Sequence, residues 1–133
     1  MGAIFGADIP FAELCGIESV GVEDGVTRLR VSLGAKHGNN IGIPHGGLIA
    51  TLLDIAMGTA ARLAAGRPVM TLDMHINFLS VGSGVLAAEG RVVRAGRSIL
   101  FAEAEARNAD GQLVAKSSGV FKPTATKEPK AEG

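Results

Sequence analysis

Gly46-Gly47-Leu48-Ile49-Ala50-Thr51-Leu52-Leu53-Asp54-Ile55-Ala56-Met57-Gly58-Thr59-Ala60-Ala61-Arg62-Leu63-Ala64-Ala65 is a run of small and aliphatic residues with no alternation of apolar and polar positions. It is too long for a strand, and Leu48, Thr51, Leu52, Ile55 and Thr59 keep the spacing of a helix. Gly66 ends that helix and Pro68 enforces the stop. Apolar side chains occupy nearly every face, so the helix belongs inside something. One charge interrupts it: Asp54 is the sole formally charged residue between Lys36 and Arg62.

Upstream of the helix lies a loop rich in Gly and Asn, Lys36 to Pro44. Before it, Val26 to Leu33 alternates Thr27, Leu29, Val31 and Leu33 against Val26, Arg28, Arg30 and Ser32, which is the period of a strand. Asp24-Gly25 ahead of that strand is a hairpin signal, because both residues take positive φ at low cost. Downstream, Met70, Leu72, Met74, Ile76 and Phe78 alternate with Thr71, Asp73, His75 and Asn77. Val85–Arg94 and Ile99–Arg107 follow, joined at Ala95-Gly96-Arg97, with Leu100, Ala102, Ala104 and Ala106 on one face. After a second Asp-Gly turn, Asp110-Gly111, the strand Leu113–Lys122 closes the sheet. The predicted order is two strands, a buried helix, then four strands in a meander. One antiparallel sheet curling around the helix satisfies this, an α+β class, and the Ala-rich strand faces let the two layers approach closely.

The 133 residues make one domain, expected over residues 1–122, with a disordered Lys/Glu/Pro/Ala tail over 123–133. Lys+Arg and Asp+Glu number 13 each. Zero net charge argues against nonspecific nucleic-acid binding, which needs a basic surface. Cys15 is alone, so no internal disulfide forms. Met1 to Pro10 has no basic segment ahead of an apolar one, and no apolar run is expected to reach the ~20 residues of a membrane span. The chain is therefore expected to be soluble and cytoplasmic, without a membrane partner. No Gly-x-Ser-x-Gly elbow is present, and no Gly-x-Gly-x-x-Gly follows a strand, so no cofactor is called for. His37, His45 and His75 lack the spacing of a metal set.

A carboxylate in an apolar helix is costly unless paired, so Asp54 is either a structural group bonded to Thr51 or a partner loop, or a functional one. Gly46 and Gly47 at the helix start either permit close packing or leave N–H groups open to an anion, such as the oxyanion of a thioester carbonyl. Eight residues separate Gly46 from Asp54, roughly 12 Å along a helix. The two cannot meet one carbonyl group within one chain. They can across two antiparallel helices, so the spacing favours a dimer with interfacial sites.

The pattern Asn39-x5-His45-Gly46-Gly47 with Asp54 following, then Thr71-x-Asp73-Met74-x-Ile76-x-Phe78, resembles the phenylacetate-pathway (PaaI-type) hotdog-fold acyl-CoA thioesterases over roughly residues 34–121. The resemblance implies an acyl-CoA substrate and a homodimer or dimer of dimers. It implies Asp54 as nucleophile or general base, Gly46 as oxyanion donor, Asn39 and His45 as groups orienting the thioester or water, and Thr71 as the hydroxyl holding the water. Gly47 joins Gly46 as a substrate-binding position. Arg94, Arg97 and Ser98, with Arg91 beside them, surround the turn before Ile99 and offer guanidinium forks to CoA phosphates, or else form an ordinary solvated hairpin. Lys122 is a further cationic candidate. Leu52, Leu53, Ile55, Met57 and Phe78 are available to line an acyl pocket.

Two other classes fit parts of the sequence. A hotdog enoyl-CoA hydratase would pair His with a carboxylate in a motif such as Asp-x4-His, and the sequence has no such pairing, although Asp73 and His75 lie on one strand face. A noncatalytic acyl-CoA binder would be better served by an aliphatic residue at Asp54.

Overall fold

The structure, a computed structural model, describes residues 3–124. Six antiparallel strands form one sheet: β1 (Ile17–Glu23), β2 (Val26–Ser32), β3 (Val69–Phe78), β4 (Val85–Ala95), β5 (Leu100–Arg107) and β6 (Leu113–Pro123). A short helix α1 (Pro10–Cys15) precedes them, and the central helix α2 (Gly46–Ala65) packs against one face.

The helix boundaries follow the sequence. His45 stands at the N-cap with its ring accepting from the Gly47 N–H at 2.7 Å, and Gly66, at φ 71°, takes the left-handed C-terminal position. Leu52, Ala56, Met57 and Ala61 are wholly buried against the sheet, whose facing positions are small: Ala88, Gly90, Ala102, Ala104, Ala106 and Ala115. Contact is closest at Gly90, where an added Cβ would lie 2.2 Å from the Ala56 carbonyl oxygen. Thr27, buried on β2 opposite Gly90, donates its hydroxyl to that same oxygen at 2.7 Å. The anticipated close approach of helix and sheet thus comes from missing side chains and is pinned by one buried hydrogen bond.

Four expectations need correction. The strand order is β1-β2-β4-β5-β6-β3, so the last four strands are not a meander. β4, β5 and β6 follow one another, whereas β3 lies at the edge beside β6 and the chain crosses over to place β4 against β2. Inserting β4 there covers more of the helix than a terminal position would; β4 carries Leu86, Ala88 and Gly90 beneath it.

The phase of β3 also changes along its length. A bulge between Thr71 and Asp73 leaves Leu72 without a partner. From Met74 onward the expected face holds, with Met74, Ile76 and Phe78 opposite Gly119, Ser117 and Ala115. Before the bulge it reverses: Thr71 pairs with buried Phe121 and shares the helix side with Val69, while Met70 and Leu72 are exposed. An extra residue in a strand of period two swaps the faces.

Helix α1 was not anticipated, although Pro10 at its first turn and Gly16 at φ 76° after its end are the usual punctuation. Finally, α2 has 20 residues with a mean hydropathy of 1.5 over its most apolar stretch, long and apolar enough to cross a membrane. Most of that stretch is buried in the sheet's concave face, as the core helix of a globular domain is. At the C-terminus Pro123 pairs with Val69 and the Thr124 N–H bonds to the Pro68 carbonyl at 2.8 Å. The rest of the expected disordered tail, 125–133, lies outside the described residues.

Candidate active site

Asp54 lies in the third turn of α2, beside the edge strand β3, and is partly buried. The Thr71 hydroxyl donates to Asp54 Oδ1 at 2.8 Å. Burial raises the carboxyl above the usual aspartate range, and the Thr71 hydrogen bond opposes that rise. The sequence pointed to Thr51 as one structural partner for Asp54. Thr51 instead returns its hydroxyl to the Gly47 carbonyl at 2.8 Å, one turn back in the same helix.

The N-terminus of α2 has one open donor. Leu48 and Ile49 N–H groups both reach the His45 carbonyl, and Gly47 N–H is taken by His45 Nδ1. Gly46 N–H has no protein acceptor among the described residues. Of the two glycines, Gly46 therefore keeps the N–H that an anion can use. Its neighbour is the Phe78 ring, 3.6 Å from where a Cβ would stand. His45, with Nδ1 accepting, presents Nε2–H to solvent.

Asn39 builds the loop that leads here. Its Oδ1 accepts from the Ile41 and Ile43 N–H groups at 3.0 and 3.2 Å, and its N–H bonds to the Ile43 carbonyl. His37, buried in the same loop, accepts from Gly34 N–H at Nδ1 (2.9 Å) and meets the Cys15 carbonyl at Nε2 (2.7 Å). Its own carbonyl receives the His45 N–H. His37 was not singled out as a site residue; its isolation in a Gly/Asn loop was the only hint. The three histidines occupy separate places, since His75 is exposed on the outer face of β3.

The structure thus brings Asp54 and Thr71 together, and gathers Asn39, His45, Gly46 and Gly47 at the other end of the helix segment. The two groups are about 12 Å apart along one helix. Arg94, Arg97 and Ser98 are exposed at the β4–β5 turn. Ala95, Leu100, Phe121 and Thr71 stand opposite one another in one row across β4, β5, β6 and β3. The turn is therefore at the Thr71 end of the sheet, with Leu100 two strand spacings, about 10 Å, from Thr71. Arg91 is held by Glu103 at 2.8 Å, whereas Arg94 and Arg97 have no ion pair among the described residues. Lys122 is exposed on β6 opposite Met70.

A cleft of about 250 Å³ opens beside Asp54 and Thr71, running along α2 past Ile55 and Gly58 to Arg62. Of the apolar residues expected around an acyl group, only Ile55 lines it. Leu52, Leu53 and Met57 are wholly buried core residues on the sheet side of the helix, and Phe78 stands at the Gly46 end.

Residues 41–115 match the Thioesterase superfamily, and the chain belongs to it. A Halobacterium salinarum protein named "Putative esterase" is 35% identical over 120 residues, which is 80% of each chain. The solved BH2602 protein of Bacillus halodurans, crystallised with CoA, is 30% identical with a TM-score of 0.83, covering 90% of this chain and 82% of that one. The Escherichia coli PaaI protein of the phenylacetic acid degradation operon superposes with a TM-score of 0.84 over 90% of this chain and 88% of its own, at 22% identity. That last likeness concerns the fold alone, and the fold is the hotdog of this superfamily.

Proposed function

We propose that this chain is an acyl-CoA thioesterase that hydrolyses an acyl-CoA to the free acid and CoA, at sites shared between two subunits. The observation that carries the reading is the Asp54–Thr71 pair: a carboxylate raised by burial, fixed at Oδ1 by a hydroxyl 2.8 Å away, beside a cleft. That bond leaves Oδ2 as the reactive oxygen. Ionised, it either attacks the thioester carbon or takes a proton from water, and both routes need the same unprotonated carboxylate.

Gly46 supports the second half of the chemistry. Its open N–H at a helix N-terminus suits the negative charge that develops on the thioester oxygen. It serves the Asp54 of a second chain, because 12 Å of helix separates it from its own. The edge of β3 supports that assembly: its outer side has no strand partner among the described residues, and Met70, Leu72, Phe78, Leu79 and Val81, along the strand and just after it, are all at least half exposed. An exposed apolar edge is protected by pairing with another copy. Such pairing around a twofold axis lays the two α2 helices side by side and antiparallel.

The BH2602 neighbour holds CoA, and here Arg94, Arg97 and Ser98 offer the phosphates a hydroxyl and two guanidinium groups that have no ion pair among the described residues, near the Thr71 end of the sheet. Asp73 and His75, which share a strand face without forming a hydratase motif, lie on the face of β3 opposite to Asp54. A cytoplasmic location follows from the expected substrate.

The test is direct. The protein is incubated with a panel of acyl-CoAs and a thiol reagent. Release of free CoA with matching free acid is expected; binding without release makes the chain a carrier, and a hydrated product makes it a hydratase.

A further inference from the structure

We propose that the cleft beside Asp54 is the acyl pocket, that it takes a compact apolar acyl group, and that Gly58 sets the size accepted. This rests on the thioesterase reading and adds the substrate class to it.

Asp54, Gly58 and Arg62 recur every four residues and so share one stripe of α2. Gly58 lies about 6 Å along the axis from Asp54, and Arg62 about 12 Å. All three line the cleft, with Ile9, Val69 and Phe121 closing its sides. At Gly58 the helix presents no side chain, and an added Cβ would touch only the Phe121 ring, at 3.4 Å. At Gly58 the cleft is therefore bounded on the helix side by backbone alone, where an acyl group leaving Asp54 would run.

The hydroxyls in this stretch are already occupied. Thr71 donates to Asp54, and Thr59 donates its hydroxyl to the Ile55 carbonyl at 2.7 Å. Apart from Asp54 Oδ2, which the chemistry needs, the amides of a pantetheine arm laid here would find no free side-chain partner among the described residues between Asp54 and Gly58, which is costly, whereas an apolar chain loses nothing. The far end is marked by Asp8 and by Arg62, whose guanidinium donates to the Phe5 carbonyl at 2.9 Å. Charged groups there limit how far an apolar chain extends. The polar CoA portion is left to the β4–β5 turn.

The experiment compares kcat/KM of the unmodified protein, Gly58→Ala and Gly58→Leu on acetyl-, hexanoyl- and phenylacetyl-CoA. A methylene of misfit is worth about 10- to 200-fold in discrimination. The hexanoyl-to-acetyl and phenylacetyl-to-acetyl ratios are expected to fall at least tenfold in Gly58→Leu and by a smaller factor in Gly58→Ala. Unchanged ratios, or equal losses on all three substrates, overturn the assignment of the cleft. If the unmodified protein releases no CoA from any of them, the thioesterase reading fails instead. Should Gly58→Leu not fold, Gly58→Ala decides alone, since its methyl meets only ordinary contact and Ala favours the helix.

Discussion

Thr71 reaches Asp54 because Leu72 is an extra residue in β3. The bulge turns the Thr71 hydroxyl to the helix side, where it meets Asp54 Oδ1 at 2.8 Å. Were Leu72 instead paired in a regular ladder, Thr71 would share the outer face with Asp73 and His75. The pair couples an edge strand to the core helix and fixes which carboxylate oxygen stays free.

Replacing Asp54 by Asn or Ala is expected to lower turnover by about a hundredfold or more, the usual effect of losing a positioned base. A kcat near that of the unmodified protein would remove Asp54 from the mechanism. The same variants should be more stable at neutral pH. The folded carboxyl is raised, so it holds a proton at pH values where the unfolded chain has released one. Ionisation thus opposes folding, and stability falls as pH rises from the unfolded value through the folded one. Thermal melts should show a gain in Tm for Asp54→Asn at pH 7 that vanishes in acid, below the unfolded aspartate range.

Thr71→Val removes the hydrogen bond that holds the Asp54 carboxyl down. The acidic limb of the kcat profile is expected to move to higher pH, while Thr71→Ser keeps it in place. An identical profile for Val and Thr would mean that the hydroxyl does not tune the carboxylate.

Gly46→Pro deletes one N–H at the first position of a helix, where proline is tolerated. His45, at φ −65° and ψ 137°, already has the extended backbone that a following proline requires. The variant should fold and lose turnover. Mixing it with Asp54→Ala subunits should restore activity, because each mixed dimer holds one site with both defects and one with neither. If subunit exchange is verified and no activity returns, sites are not shared.

Arg97→Ala is expected to raise KM for acyl-CoA and to leave pantetheine thioesters little affected. Equal losses on both substrates would point to a fold defect at the β4–β5 turn.

Gly90→Ala pushes a methyl into the Ala56 carbonyl, and overpacking of this kind costs about 1–3 kcal/mol. Thr27→Val, which leaves that carbonyl without its hydroxyl donor, costs about 1 kcal/mol. Urea denaturation measures both; wild-type stability for Gly90→Ala would mean that the helix shifts freely over β4.

The sequence alone determines the buried helix Gly46–Ala65, the Asp24-Gly25 turn with both φ values positive, the small faces of β4, β5 and β6, and Asp54 as a charge in need of a reason. Each is local: periodicity, turn chemistry and composition act over a few residues and survive any tertiary arrangement. The resemblance added Thr71, Asn39 and His45 as positions without saying what holds them. Strand order, the Leu72 bulge, the occupation of Gly47 N–H by His45 and the cleft along Gly58 belong to the tertiary structure. Strand neighbours are chosen by how much of the helix they cover, which no window of sequence contains. A bulge is a choice between pairing every residue and placing the right faces inward, and Phe121, Gly119 and the helix make that choice together. Leu52 and Met57 looked equal to Ile55 as pocket residues in a helix apolar all round; only the side on which the sheet packs sends the first two into the core and leaves Ile55 and Asp54 at the cleft.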